Sequence, residues 1–241
     1  MTVIADGGKA FAAYAFPPNE LGYCGPPDPS VLLAGRSAEI AEAAHRFDGA
    51  WPYLEEIAAA AGRGNALDAD VVRAYWVGGP LLELVDPTTL LNRLRRALAG
   101  QPCGLLGRVP AGPGVLAHHS FHVFVAYPWV RFLDTDPATP LRILQSCRIR
   151  WGTVDSVGPQ HAVVISRPLR FDGVLMLGEP AAETVRWRSS DGTALAPAPV
   201  PGRTVAAHWD WVCDTLDRGD VDSLAAATAS TLDLVNRLRG R

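Results

Sequence analysis

Cys147 and His208 are the residues whose types carry the clearest chemistry. Cys147 opens the run Cys147-Arg148-Ile149-Arg150-Trp151-Gly152-Thr153-Val154, and His208 closes the run Val205-Ala206-Ala207-His208. A thiolate and an imidazole brought together suit a soft transition metal. Read as a strand, the first run puts Cys147, Ile149 and Trp151 on one face and Arg148 and Arg150 on the other. Flanking arginines favour the thiolate, the form that ligates a metal or attacks carbon. The competing structural readings are a buried inert thiol and a rim histidine bonded to backbone. The expected meeting point is the mouth of a small β-barrel.

A second cluster is Ala117-His118-His119-Ser120-Phe121-His122. His118 and His122 share a face whether the segment is helix or strand, so two imidazoles can bind a metal if a third ligand arrives from elsewhere. Cys24, His45 and Glu83 are candidates for that ligand. The glutamate of the HExxH metallohydrolase pattern is absent. Cys24 lies in the turn Gly22-Tyr23-Cys24-Gly25-Pro26-Pro27, which can present a thiol or form a packed corner. Cys213 reads as core. Two functional classes follow. One is a metal-holding accessory protein. The other is an enzyme with Cys147 as nucleophile and His208 as base, or with a metal at His118 and His122. Neither a nucleophile elbow nor a dinucleotide fingerprint occurs.

These side chains need a scaffold. The chain has 241 residues, 48% of them hydrophobic, enough for a substantial core. Its net charge of −3 gives no broad attraction to nucleic acid or anionic lipid. No apolar run reaches the roughly 18 residues of a membrane span. The start Met1-Thr2-Val3-Ile4-Ala5-Asp6-Gly7-Gly8 lacks a secretion-signal pattern. Four widely spaced cysteines without a CxxC pair point to free thiols in the cytoplasm.

Helical periodicity covers residues 37–62, with a break near Asp48-Gly49, and continues from Asp68 or Asp70 to Val77. Asp86, Pro87 and Gly100 delimit a helix over 87–99. Residues 115–133 are apolar and fit strand or helix. A turn-rich stretch, Asp134 to Pro140, sets the expected boundary between residues 1–145, mostly helical and binding a partner or ligand, and residues 146–241. Short strands are expected over 147–157, 161–169, 173–178, 183–188 and 203–208, closing into a small barrel. Helices over Trp209–Leu216 and Val221–Leu238 complete an α+β fold.

The order of Cys147, Gly152-Thr153-Val154, a small barrel, Gly202-Arg203-Thr204-Val205-Ala206-Ala207-His208 and a terminal helix resembles the HypC-type maturation chaperones of nickel–iron hydrogenases. The resemblance covers roughly residues 146–238. It implies an OB-like barrel that carries iron with cyanide and carbonyl ligands, held by Cys147 and His208. Arg148 or His208 would donate hydrogen bonds to the cyanide nitrogens. It implies two partners, a maturation scaffold protein and a hydrogenase large-subunit precursor; the charge and the short apolar runs leave no nucleic acid and no membrane among the expected partners. Here the cysteine is internal rather than beside the initiator Met, and Trp151 stands where the family has proline. The N-terminal half, with Leu21-Gly22-Tyr23-Cys24-Gly25-Pro26 and the 118–122 histidines, resembles an uncharacterised bacterial family associated with hydrogenase gene clusters.

Overall fold

A computed structural model describes residues 6–34 and 36–241. The expectation that the first residues lack a secretion-signal pattern falls largely on residues 1–5, which lie outside the described residues. The helical half comprises α1 (Gly7–Glu20), α2 (Ser30–Ala34), α3 (Ser37–Ala44), α4 (Trp51–Ala60), α5 (Ala69–Trp76), α6 (Pro87–Ala97), α7 (His119–Phe121) and α8 (Ala138–Cys147). The strands are β1 (Arg150–Val157), β2 (His161–Ser166), β3 (Leu169–Asp172), β4 (Val174–Leu177), β5 (Ala181–Arg186), β6 (Thr204–His208) and β7 (Trp211–Leu216). The chain ends in α9 (Arg218–Leu238). The fold is therefore α+β, a helical region followed by a sheet and a C-terminal helix. Among the described residues no helix is long and apolar enough to cross a membrane.

Local chemistry explains most boundaries. The Asp86 side chain accepts from the Thr89 amide, Pro87 takes the first helical position of α6, and Gly100 at φ 82° stops the chain from continuing. Asp68 caps α5 through the Asp70 amide. The expected break in 37–62 falls between Ala44 and Trp51, where Pro52 enters α4 in its first turn.

The strand roster differs from expectation most in two places. The segment 173–178 stays out of the main sheet and pairs as β4 with β3 in a separate hairpin. The stretch expected as a helix after His208 is instead β7, antiparallel to β6 through pairs such as Thr204–Leu216. The main sheet runs β1-β2-β5-β7-β6 and closes, β1 pairing with β6 and β5 meeting β7 in parallel at Arg186–Trp211. The β6–β7 turn needs Trp209 at φ 52°, a left-handed conformation that costs a non-glycine residue energy. Nothing in its side chain announces such a turn.

Alternation along β6 and β7 divides the apolar residues between two cores. Val205, Ala207 and Val212 join Val154, Ala162, Val164 and Val185 inside the sheet. Ala206, Trp211 and Cys213 point the other way, into a larger core that continues through the helices from Phe11 to Val235. Polar ties cross the same seam. Arg73 of α5 pairs with Asp214 of β7 at 3.3 Å and with Asp220 of α9. Glu20 of α1 accepts from Arg186 at 2.7 Å and from the Trp211 indole at 2.9 Å.

Candidate metal centre

His208 sits on the outward face of β6, the same side as Ala206, so it looks towards the helices. The site is therefore between the sheet wall and the helical layer, not at the barrel mouth. Cys147 is the last residue of α8, not a strand residue. Pro140, Ile143, Leu144 and Cys147 are the buried positions of that helix, at helical spacing. Two backbone ties hold the end of α8 against the β6–β7 turn. The Trp209 amide donates to the Ser146 carbonyl at 2.8 Å, and the Arg150 guanidinium donates to the carbonyls of Ser146, at 3.1 Å, and of Trp209.

One ligand atom from each of His119, Cys147 and His208 lies within 4.8 Å of the other two. The expected sulfur–imidazole pair thus meets, and a third donor joins it. Donors around a four-coordinate zinc-like ion, at about 2.0–2.3 Å from the metal, stand about 3.3–3.7 Å apart, so a modest inward movement would close the set. Beside it is an apolar cavity of about 50 Å³ lined by Ala15, Tyr75, Trp76, His122 and the three candidate ligands. That space exceeds the ~10–15 Å³ needed for one water and admits a few groups of that size.

Hydrogen bonding fixes which nitrogens are free. His208 is fully buried, and its Nδ1–H donates to the Tyr14 carbonyl of α1 at 2.6 Å. Its Nε2 has no partner among the described residues and so presents a lone pair. His119 donates from Nε2 to the Cys147 carbonyl at 2.9 Å. Its Nδ1 lies 3.1 Å from the Tyr75 hydroxyl, which also reaches the Gly49 carbonyl at 3.1 Å. Ligation by His119 exchanges one of these bonds for the metal. The aromatic wall is close-set, with Trp76 centred 4.5 Å from His119 and 5.6 Å from His208.

Burial, not charge, sets the protonation of the cluster. It pushes the Cys147 thiol up. Burial lowers His208 to about 3, with the Arg150 charge adding to the effect, and lowers His119 well below its ordinary range. The expected activation of Cys147 by its arginines does not occur, because both guanidinia are engaged elsewhere. Arg148 donates to Gln145 at 3.0 Å and to the Arg167 carbonyl, and burial lowers it to about 9. It does not line the cavity and is not placed to hold a ligand on the metal. A protonated thiol beside a neutral imidazole is a poor nucleophile–base pair. It is still a competent ligand set, since metal binding itself expels the thiol proton.

The other expected residues separate. His118 is not in the cluster: it caps α7, its Nδ1 accepting from the Ser120 amide at 3.0 Å, and burial lowers it to about 4. Its Nδ1 therefore serves the backbone, and His118 does not line the cavity that His122 lines. His122 lines the cavity wall at the start of a π-helical turn over His122–Ala126, with burial lowering it to about 4. Cys24 is exposed, yet it also lines the cavity. Cys213 is core, its thiol donating to the Trp211 carbonyl at 3.6 Å. His45 stacks on Trp51 at 3.7 Å, and Glu83 is exposed on a short helical turn; neither belongs to the site. His119 is the ligand that sequence reading passed over.

No curated protein and no solved structure matches the chain. One family model matches residues 3–241, and with nearly every residue covered the chain belongs to that family, described as a family of unknown function, DUF6390.

Proposed function

We propose that this protein is a cytoplasmic accessory protein of metallocentre assembly that holds a transition-metal cargo at His119, Cys147 and His208. The carrying observation is that these three donors converge within 4.8 Å in a buried pocket, with the Nε2 lone pair of His208 unpartnered. A soft sulfur with two neutral imidazoles is a donor set for iron, copper or zinc. The HypC-type resemblance narrows the cargo to iron bearing cyanide and carbonyl ligands, and the small apolar cavity beside the sulfur has room for groups of that size. In this reading the closed sheet is OB-like. Residues 146–241 supply Cys147 and His208, and residues 1–145 supply His119 and a surface for a scaffold protein or a hydrogenase large-subunit precursor. An internal, buried cysteine retains cargo more tightly than a free chain end, so the role is custody before transfer.

The test is anaerobic co-production with the hydrogenase maturation proteins, followed by iron analysis and infrared spectroscopy. Bound cyanide and carbonyl stretches that vanish in Cys147→Ala support the reading. Iron-free protein from wild-type cells, together with normal hydrogenase activity in a Cys147→Ala strain, overturns it.

A further inference from the structure

The buried cluster has a neighbour. A wider pocket of about 290 Å³ lies outside it, lined in part by Arg46, Asp48 and Cys103. Tyr23, Cys24, Gly49, His122 and Tyr127 line both spaces and so form the wall between them. Two of these five are metal-binding types. They repeat, one layer further out, the thiol–imidazole pairing of the inner site.

The turn carrying Cys24 and the His122 ring are both held in place. The Asn19 amide donates to the Cys24 and Pro26 carbonyls, each at 2.7 Å, and so pins the turn that carries the thiol. The His122 ring abuts Gly49, where a Cβ would stand 2.5 Å from Nε2, and meets Tyr53 edge-on at 5.8 Å. His122 Nδ1 is buried without a hydrogen-bond partner among the described residues. Its ring stands 6.4 Å from that of His119, on the same short helical stretch. The π-helical turn that begins at His122 widens the backbone there, a distortion common at functional sites. A three-donor cluster forms only at the inner site among the described residues, so Cys24 and His122 offer at most two protein ligands. Two protein ligands bind more weakly than three, which suits a stopping place and not a resting place.

We propose that Cys24 and His122 form a transfer site that takes a soft transition-metal ion from the outer pocket and passes it inward to His119, Cys147 and His208. The proposal rests on the inner site being the metal's destination. On capture the Cys24 thiol gives up its proton to solvent. On transfer the metal–sulfur bond to Cys24 breaks as that to Cys147 forms, and the Cys147 proton returns to Cys24. No oxidant or reductant is required.

Cobalt(II) is the probe, added anaerobically to metal-free full-length protein, with thiolate-to-cobalt charge-transfer absorption followed by stopped flow. Wild type should load in two phases. Cys24→Ala and His122→Ala should load at least ten-fold more slowly and reach the wild-type end spectrum. In Cys147→Ala a weak charge-transfer band should persist, survive in Cys103→Ala/Cys147→Ala, and disappear in Cys24→Ala/Cys147→Ala. Loading of Cys24→Ala at the wild-type rate, or a Cys147→Ala band that is absent or belongs to Cys103, overturns the transfer site. A wild-type spectrum lacking any Cys147-dependent band, with the Cys24-dependent band intact, overturns the destination and leaves the outer binding pair standing.

Discussion

The imidazole of His208 donates to the backbone carbonyl of Tyr14 at 2.6 Å, tying β6 of the sheet to the first helix. This one bond sets the tautomer that leaves Nε2 free for a metal, and it makes the site dependent on both halves of the chain.

Asparagine and alanine at this position should separate the two roles. His208→Asn keeps a side-chain donor near the Tyr14 carbonyl but removes Nε2. His208→Ala removes both and strands a buried carbonyl, at a cost of about 1–3 kcal/mol relative to asparagine. Metal binding should weaken alike in both variants, while urea unfolding of metal-free protein should show the alanine variant the less stable. Equal stability of the two would mean the Tyr14 bond contributes nothing.

Acid should unfold the metal-free protein. His118 and His122 are lowered to about 4, His208 to about 3 and His119 well below its usual range, all by burial. In the unfolded chain each regains its ordinary value of about 6.5. Below that value the unfolded state binds more protons, so stability is full above it and falls as pH drops towards 4. His118, His122 and His208 each contribute about 2 kcal/mol of this loss by pH 5 and His119 acts in the same direction, so together they approach the whole stability of an ordinary domain. Urea midpoints at pH 7.5 and 5.0 should differ strongly. A midpoint unchanged at pH 5.0 would show that the rings are not buried and neutral.

Arg150 and Arg148 should behave differently. Arg150 pairs with Glu183 at 3.0 Å while bonding the carbonyls of Ser146 and Trp209, so it joins the end of α8 to the β6–β7 turn. Arg150→Met leaves the Glu183 carboxylate with the Ser166 hydroxyl but no cation and should cost about 3–5 kcal/mol. By loosening Cys147 from His208 it should also weaken cobalt affinity by about 10–100-fold, as support residues around metals do. Arg148→Met should lower stability but leave cobalt affinity within about two-fold, because Arg148 serves Gln145 and Arg167. Equal losses of affinity in both would contradict this assignment.

Gly49 carries a narrower prediction. A methyl group there would meet His122 Cε1 at 2.7 Å as well as Nε2. Gly49→Ala should displace the ring, cost about 1–3 kcal/mol and slow cobalt loading without changing the final spectrum. Unaltered stability and loading would show that the ring moves freely.

The parts of the fold announced by local chemistry were legible in the sequence. Asp86, Pro87 and Gly100 delimit α6, and alternation around Val185 marks a strand with one buried face. The pairing of Cys147 with His208 was legible as residue types. Its setting was not. The helical spacing of Pro140, Ile143, Leu144 and Cys147 was present but masked by the turn-rich residues before it. A left-handed Trp209 has no sequence signal, so β7 read as helix. The choice of His119 over its neighbour His118 depends on where α8 delivers Cys147, a long-range relation that local periodicity does not carry. The arginines beside Cys147 suggested a thiolate, but burial outweighs neighbours whose charges are spent on other partners.

X-ray absorption at the metal edge of the cobalt- or iron-loaded protein tests the central claim most directly. In a Cys24→Ala background one sulfur and two imidazole nitrogens should surround the ion, the sulfur should vanish when Cys147→Ala is added, and one imidazole should vanish when His119→Ala or His208→Asn is added. In that background a shell of light atoms alone, or a sulfur that persists without Cys147, would contradict it.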